Sequence, residues 1–141
     1  AGASLTSGNE GYIYTMKRFG MLLGICFQLR DDIFDYDNTQ DVGKPTGNDM
    51  KEGKLTLPVI FASRKNAFVQ ELALKVRRFE ASVEEIEHLV QLTIHEGGVL
   101  YAEAAMTDFS HMASGLLDEV ECRDIAKTFQ LYLDFVSQRK L

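Results

Sequence analysis

Asp31, Asp32 and Asp35 have the residue types and spacing to place three carboxylates side by side. With Gln28 they follow the steps i, i+3, i+4 and i+7, so on a helix all four share one face. Carboxylates gathered in this way repel one another unless a cation sits among them. Oxygen ligands suit a hard divalent ion such as Mg2+, which is commonly held by a few carboxylates, retained waters and substrate phosphates. Mn2+ is the alternative ion for the same donors. Zinc would favour His or Cys, and His88, His95 and His111 lie far away in sequence. The chemistry expected of this face is therefore a metal-bridged diphosphate. Phe27, Ile33 and Phe34 remain available for packing or for lining an apolar cavity. Taken alone, the short aspartate pattern fits an acidic helix end exposed to water equally well.

The segment that follows supplies opposite charge. Lys44, Lys51 and Lys54 are interleaved with Asp41, Asp49 and Glu52. Lysines act as point-charge donors to phosphates, so carboxylates and lysines around a diphosphate form a coherent site. Lys51 also reads as an ordinary solvated loop residue.

These residues need elements to position them. Met16, Phe19, Leu23 and Phe27 keep helical spacing through residues 12–35. Gly11, Gly20 and Gly24 lower helix propensity there; they indicate either a close helix-helix approach or simple tolerance. Residues 36–56 carry no sustained apolar stripe and read as one long polar loop. Pro58 suits the first turn of a short helix. Three more helices are expected over residues 67–79, 84–96 and 99–117, and a last one over 123–139. Their stripes include Phe68, Leu72 and Val76, then Ile86, Leu89, Val90 and Thr93. Ala102, Ala105, Phe109, Ala113 and Leu116 follow, and finally Ile125, Phe129, Tyr132, Leu133 and Val136. Gly97 and Gly98 end or bend the chain between two of these helices. Strand alternation and internal repeats are absent, so the expected class is all-α.

Bulk properties limit the function. The 141 residues suit one domain, and 45% hydrophobic content can supply a core. A net charge of -6 disfavours a general nucleic-acid binder. No stretch reaches the roughly 18 uninterrupted apolar residues of a membrane span. Two cysteines without a framework, Cys26 in an apolar run and Cys122, favour a reducing, cytoplasmic setting. Ala1-Gly2-Ala3-Ser4 lacks both a secretory pattern and an initiator Met, so a processed chain or a piece of a longer one is expected.

Three blocks together carry a family resemblance. They are Phe27-Gln28-x-x-Asp31-Asp32-Ile33-x-Asp35, Gly43-Lys44-Pro45-x-Gly47-Asn48-Asp49, and Glu52-Gly53-Lys54-x-Thr56-Leu57-Pro58. The combination resembles the second aspartate-rich region of trans-polyprenyl diphosphate synthases, the farnesyl, geranylgeranyl and octaprenyl type. Ala1-Gly2-Ala3, Phe19-Gly20-x-x-x-Gly24, Gly97-Gly98 and Phe135-Val136-x-x-Arg139 extend the likeness over nearly the whole chain. The resemblance implies part of an isoprenoid-synthase-type helical bundle. It also implies joining an allylic diphosphate to isopentenyl diphosphate through an allylic cation, with diphosphate assisting proton removal.

By the same resemblance, Asp31 and Asp32 would hold Mg2+, with Asp35 supporting them directly or through water. Gln28, Lys44 and Lys54 would hold the allylic diphosphate, and Asp49 would orient the lysines or metal waters. Asp31, Asp32 and Lys44 would carry the catalysis. Arg30 departs from many relatives, which have an uncharged residue there, and is expected to angle away or pair with an acid. Arg139 and Lys140 read as a surface tail.

Such synthases have two aspartate-rich motifs, whereas one is present in these residues. The expectation is that residues 1–141 correspond to the C-terminal half, are inactive alone, need an N-terminal half and self-associate through uncovered apolar faces. Other readings are a non-catalytic subunit of a heteromeric prenyl diphosphate synthase, a terpene cyclase, and a helical packing domain with a charged loop. The intact aspartate triplet with Lys44 and Lys54 weighs against the first, and the Gly43-Lys44-Pro45 and Glu52-Gly53-Lys54 blocks against the second.

Overall fold

The computed structural model describes residues 10–37 and 46–138. Seven α-helices and no strand occur among them: α1 (Glu10–Phe34), α2 (Asn48–Lys51), α3 (Leu57–Lys65), α4 (Ala67–Arg77), α5 (Val83–His95), α6 (Gly98–Leu117) and α7 (Arg123–Gln138). None of the described helices is long and apolar enough to cross a membrane. The all-α expectation holds. The contacts group the described residues into two compact units, one of 10–28 with 105–138, the other of 29–37 with 46–104.

The first unit is built from α1 as far as Gln28, the later part of α6, and α7. Phe19, Leu22 and Cys26 meet Ala113, Leu116, Leu117, Val120, Ala126, Leu133 and Val136 in its core. The Phe19 and Phe129 rings pack edge-on at 5.3 Å, a favourable aromatic geometry. Thr15 donates to Glu119 at 2.8 Å, and Ser114 to Gln130 at 2.8 Å. A Cβ at Gly20 or Gly24 would meet nothing within 4 Å among the described residues. Of the two readings of these glycines, tolerance is the one the described packing supports. Ile125 and Tyr132, expected in the stripe of α7, stay half exposed instead.

The second unit packs α3, α4 and α5 against one another. Its core takes Val59 and Ala62 from α3, Val69, Leu72, Ala73 and Val76 from α4, and Ile86, Leu89 and Val90 from α5. Phe68 is 48% exposed, so the α4 stripe is rotated by one residue from the expected one, towards Val69 and Ala73. The starts of α4 and α5 are capped. Asn66 accepts from the amides of Phe68 and Val69, and Ser82 and Glu85 form a reciprocal capping box. Gly97 bends the chain with a left-handed φ of 80°. Gly98 sits so close to the Pro58 carbonyl that a Cβ would collide with it.

Two local differences from the sequence expectations bear on the site. The polar loop contains the short helix α2, anchored by buried Met50. The helix expected to reach Phe79 ends at Arg77, because Phe79 adopts a left-handed φ of 60°. The Glu80 amide then donates to the Lys75 carbonyl at 2.9 Å and the Phe79 amide to Val76 at 3.0 Å. These bonds satisfy carbonyls that the helix end would leave open.

Candidate functional site

The end of α1 and the α2 turn come together through Asp35. Its Oδ1 accepts from the Asn48 amide at 2.9 Å and from Asn48 Nδ2 at 3.1 Å. Its Oδ2 accepts from the Asp49 amide at 3.0 Å. The Asp35 carbonyl accepts from the Gly47 amide at 3.0 Å. An anion against the first amides of a helix satisfies donors that lack intrahelical partners. This explains why four residues without an apolar repeat become helical. Gly47 enters the turn with φ 72°. A Cβ there would also press on Ile86 and Val90 at 3.0 and 3.1 Å.

Asp49 is thereby fixed near two other negative groups. Burial, then the charges of Asp35 and Asp32, push its carboxyl above the usual carboxylate range, and Lys54 pulls partly the other way. Asp32 is buried at 8% exposure, whereas Asp31 is exposed. The expected shared face is therefore divided into one solvent-facing carboxylate, one buried one and one committed to backbone amides. Among the described residues no group of three or more His, Cys, Asp or Glu is placed to hold a metal ion by itself.

Lys54 leaves the turn with its amide donating to the Asp49 carbonyl at 2.8 Å. Its exposed Nζ bonds Glu52 at 2.6 Å, and that carboxylate holds the ammonium above its ordinary value. Lys51 is exposed, matching its reading as a solvated residue. Gln28 is exposed on α1 and belongs to the first unit. The Arg30 guanidinium lies 5.9 Å from the Phe34 ring centre, one turn onward. Lys44, Asp41, Arg139 and Lys140 lie outside the described residues.

Sequence reasoning missed Tyr36. It is 6% exposed in the second core and hydrogen-bonded to Thr56, the residue before α3. Burial first, and then the charges of Asp35, Asp32 and Asp49, drive its phenol far above the ordinary range. A tyrosine in an otherwise polar run was the available signal.

Residues 1–93 match the family model described as Polyprenyl synthetase. The chain belongs to the polyprenyl synthetase family. Among its curated polyprenyl synthetase relatives, the short chain isoprenyl diphosphate synthase of Methanothermobacter thermautotrophicus is 28% identical over 141 residues, 99% of this chain and 43% of the relative. The solved geranylgeranyl pyrophosphate synthase of Bacteroides thetaiotaomicron is 39% identical with a TM-score of 0.85, covering 93% of this chain and 44% of that one. A polyprenyl synthase of Caulobacter crescentus, solved with calcium and isoprenyl diphosphate, is 26% identical with a TM-score of 0.79. It covers 98% of this chain and 43% of that structure. The chain thus spans less than half the length of these relatives.

Proposed function

We propose that this chain provides the second aspartate-rich wall of a divalent-metal-dependent prenyltransferase that condenses an allylic diphosphate with isopentenyl diphosphate. The observation carrying the reading is the gathering of Asp35 and Asp49, joined by the Asp49 amide at 3.0 Å, beside Asp31 and Asp32 in a chain of the polyprenyl synthetase family. Hard oxygen donors carrying clustered negative charge fit Mg2+, and the same set would accept Mn2+. The Caulobacter relative, with calcium and isoprenyl diphosphate, is a precedent for that pairing.

In this reading Asp31 and Asp32 hold the ion, and Asp35 contributes by fixing Asp49 rather than through its own oxygens. When bound, the metal neutralises charge on the diphosphate and makes it a better leaving group. Lys44 and Lys54 meet the departing diphosphate, a role that the family resemblance also gives to Gln28. Asp49 orients metal waters or Lys54. Lys54 exchanges its exposed Glu52 partner for phosphate oxygens, a replacement favoured by the higher charge of diphosphate.

One metal-binding wall does not fix both diphosphates or shield an allylic cation from water. The chain alone is therefore inactive in elongation, and the activity belongs with a second, facing set of ligands. Free Cys26 and Cys122 favour a cytoplasmic setting. Exposed Leu131, Tyr132 and Phe135 on α7 support self-association.

Calorimetric titration of the chain with inorganic diphosphate tests the reading. Binding is expected with Mg2+ and not with EDTA, and Asp31→Ala with Asp32→Ala is expected to abolish it. Equal affinity in EDTA, or in the double variant, would overturn the metal assignment.

A further inference from the structure

Phe79 combines two unfavourable features. It is a non-glycine residue at φ 60° and its side chain is 74% exposed. A residue with a Cβ is strained in the left-handed region, and the position after a helix end is commonly glycine for that reason. Backbone strain of this kind persists where the surroundings impose it and gathers at functional sites.

The ring has a specific neighbour. A Cβ placed on Gly53 would lie 2.6 Å from Phe79 Cζ and 2.8 Å from Cε1. The ring therefore lies over the backbone of Gly53, where any side chain would first have to push it aside. Gly53 is itself left-handed at φ 72° and ends α2, its amide donating to the Met50 carbonyl at 2.9 Å. From two residues before Phe79, Arg77 reaches the Gly53 carbonyl with Nη1 at 3.4 Å. Glu52 and Lys54, which flank Gly53, are exposed and pair with each other at 2.6 Å. The end of α4 thus grips this turn at the one residue without a side chain.

We propose that Phe79, aided by Arg77, is a positioning residue that clamps the Glu52-Gly53-Lys54 turn and so sets where Lys54 and Asp49 meet a diphosphate. The Lys54 amide donates to the Asp49 carbonyl, which transmits the hold from one to the other. The clamp rests on the diphosphate reading above for its purpose, but the grip itself does not. A left-handed φ at Phe79 is what aims the ring at Gly53, which accounts for an aromatic residue where glycine would relieve strain.

The test uses Phe79→Gly and Phe79→Tyr in the full chain, with two readouts. The first is affinity for inorganic diphosphate with Mg2+. The second is the rate of trypsin cleavage after Lys54, which follows the open population of the turn when opening is fast. Phe79→Gly is expected to keep or raise Tm, because glycine relieves the left-handed strain. It is also expected to weaken diphosphate binding about tenfold and to speed cleavage after Lys54. Phe79→Tyr, which keeps the ring, is expected to restore both. Unchanged affinity and unchanged cleavage in Phe79→Gly would overturn the clamp. If the parent chain binds no diphosphate, the functional reading fails, and the cleavage comparison still decides whether the ring holds the turn.

Discussion

Asp35 and Asp49 show how one residue type serves different ends in the same site. The Asp35 carboxylate spends both oxygens on the α2 amides and the Asn48 side chain. Asp35→Ala is therefore expected to destabilise by on the order of 2 kcal/mol, read by chemical denaturation, because charge-assisted bonds to backbone amides are lost. Asp35→Asn should recover part of this, since one acceptor oxygen remains.

Asp49 makes a pH prediction. Its carboxyl is raised by burial and by Asp35 and Asp32, so the folded chain takes up its proton more readily than the unfolded chain. Its ionised form costs stability above the folded value, and the cost disappears as pH falls through that value towards the unfolded one of about 3.9. Asp49→Asn is expected to raise Tm at neutral pH and remove this part of the pH dependence. The same variant should weaken Mg2+-dependent diphosphate binding, a trade of function for stability. A lower Tm in Asp49→Asn at neutral pH would contradict the crowding argument.

At the scale of the elements, the periodic helices and the short helix at Pro58 were readable, and α2 was not. The α5 stripe of Ile86, Leu89, Val90 and Thr93 is buried as its spacing requires. Nothing in the period of residues 48–51 announces α2, because it is held by Asp35 from outside its own sequence. The aspartate spacing was legible, but the division of labour was not. A carboxylate suits a metal ion and a helix N-terminus alike, and only geometry separates the two uses. The left-handed Phe79 was also hidden, since sequence reasoning looks for glycine where a helix stops.

The junction of α3, α5 and α6 gives an element-scale test. Gly98→Ala is expected to destabilise by about 1–3 kcal/mol through overpacking, because its Cβ would run into the Pro58 carbonyl. This outweighs the gain of about 1 kcal/mol in helix propensity. Beside it, the Thr93 hydroxyl is buried and makes no hydrogen bond among the described residues. Thr93→Val keeps the shape and removes that polar group, so thermal melting should show a stabilised chain, by about 1 kcal/mol.

For the whole molecule, two cores and one acidic site give a simple expectation of linkage. Ligands that bind only the folded state stabilise it according to their concentration. Mg2+ with diphosphate at about 100 times Kd should add about 2.7 kcal/mol. Added amide protection from hydrogen exchange should centre on Asn48, Asp49 and Lys54, and EDTA should abolish it. Protection spread evenly over α7 instead would place the ligand elsewhere. Fold class and family were legible at this scale because the three sequence blocks are contiguous and helical periods are long. The grouping into two units was not, since its boundaries fall inside α1 and α6 without a break in helical sequence.

The chain contains no tryptophan. The aromatic ring on Gly53 therefore occupies a place where a single indole would be the molecule's only such fluorophore. Phe79→Trp would turn this contact into an optical reporter, with an emission colour that follows how closely the indole lies on the peptide of Gly53. Rapid mixing with diphosphate would then give the opening and closing rates of the lysine turn, so the grip of α4 becomes a clock as well as a hold.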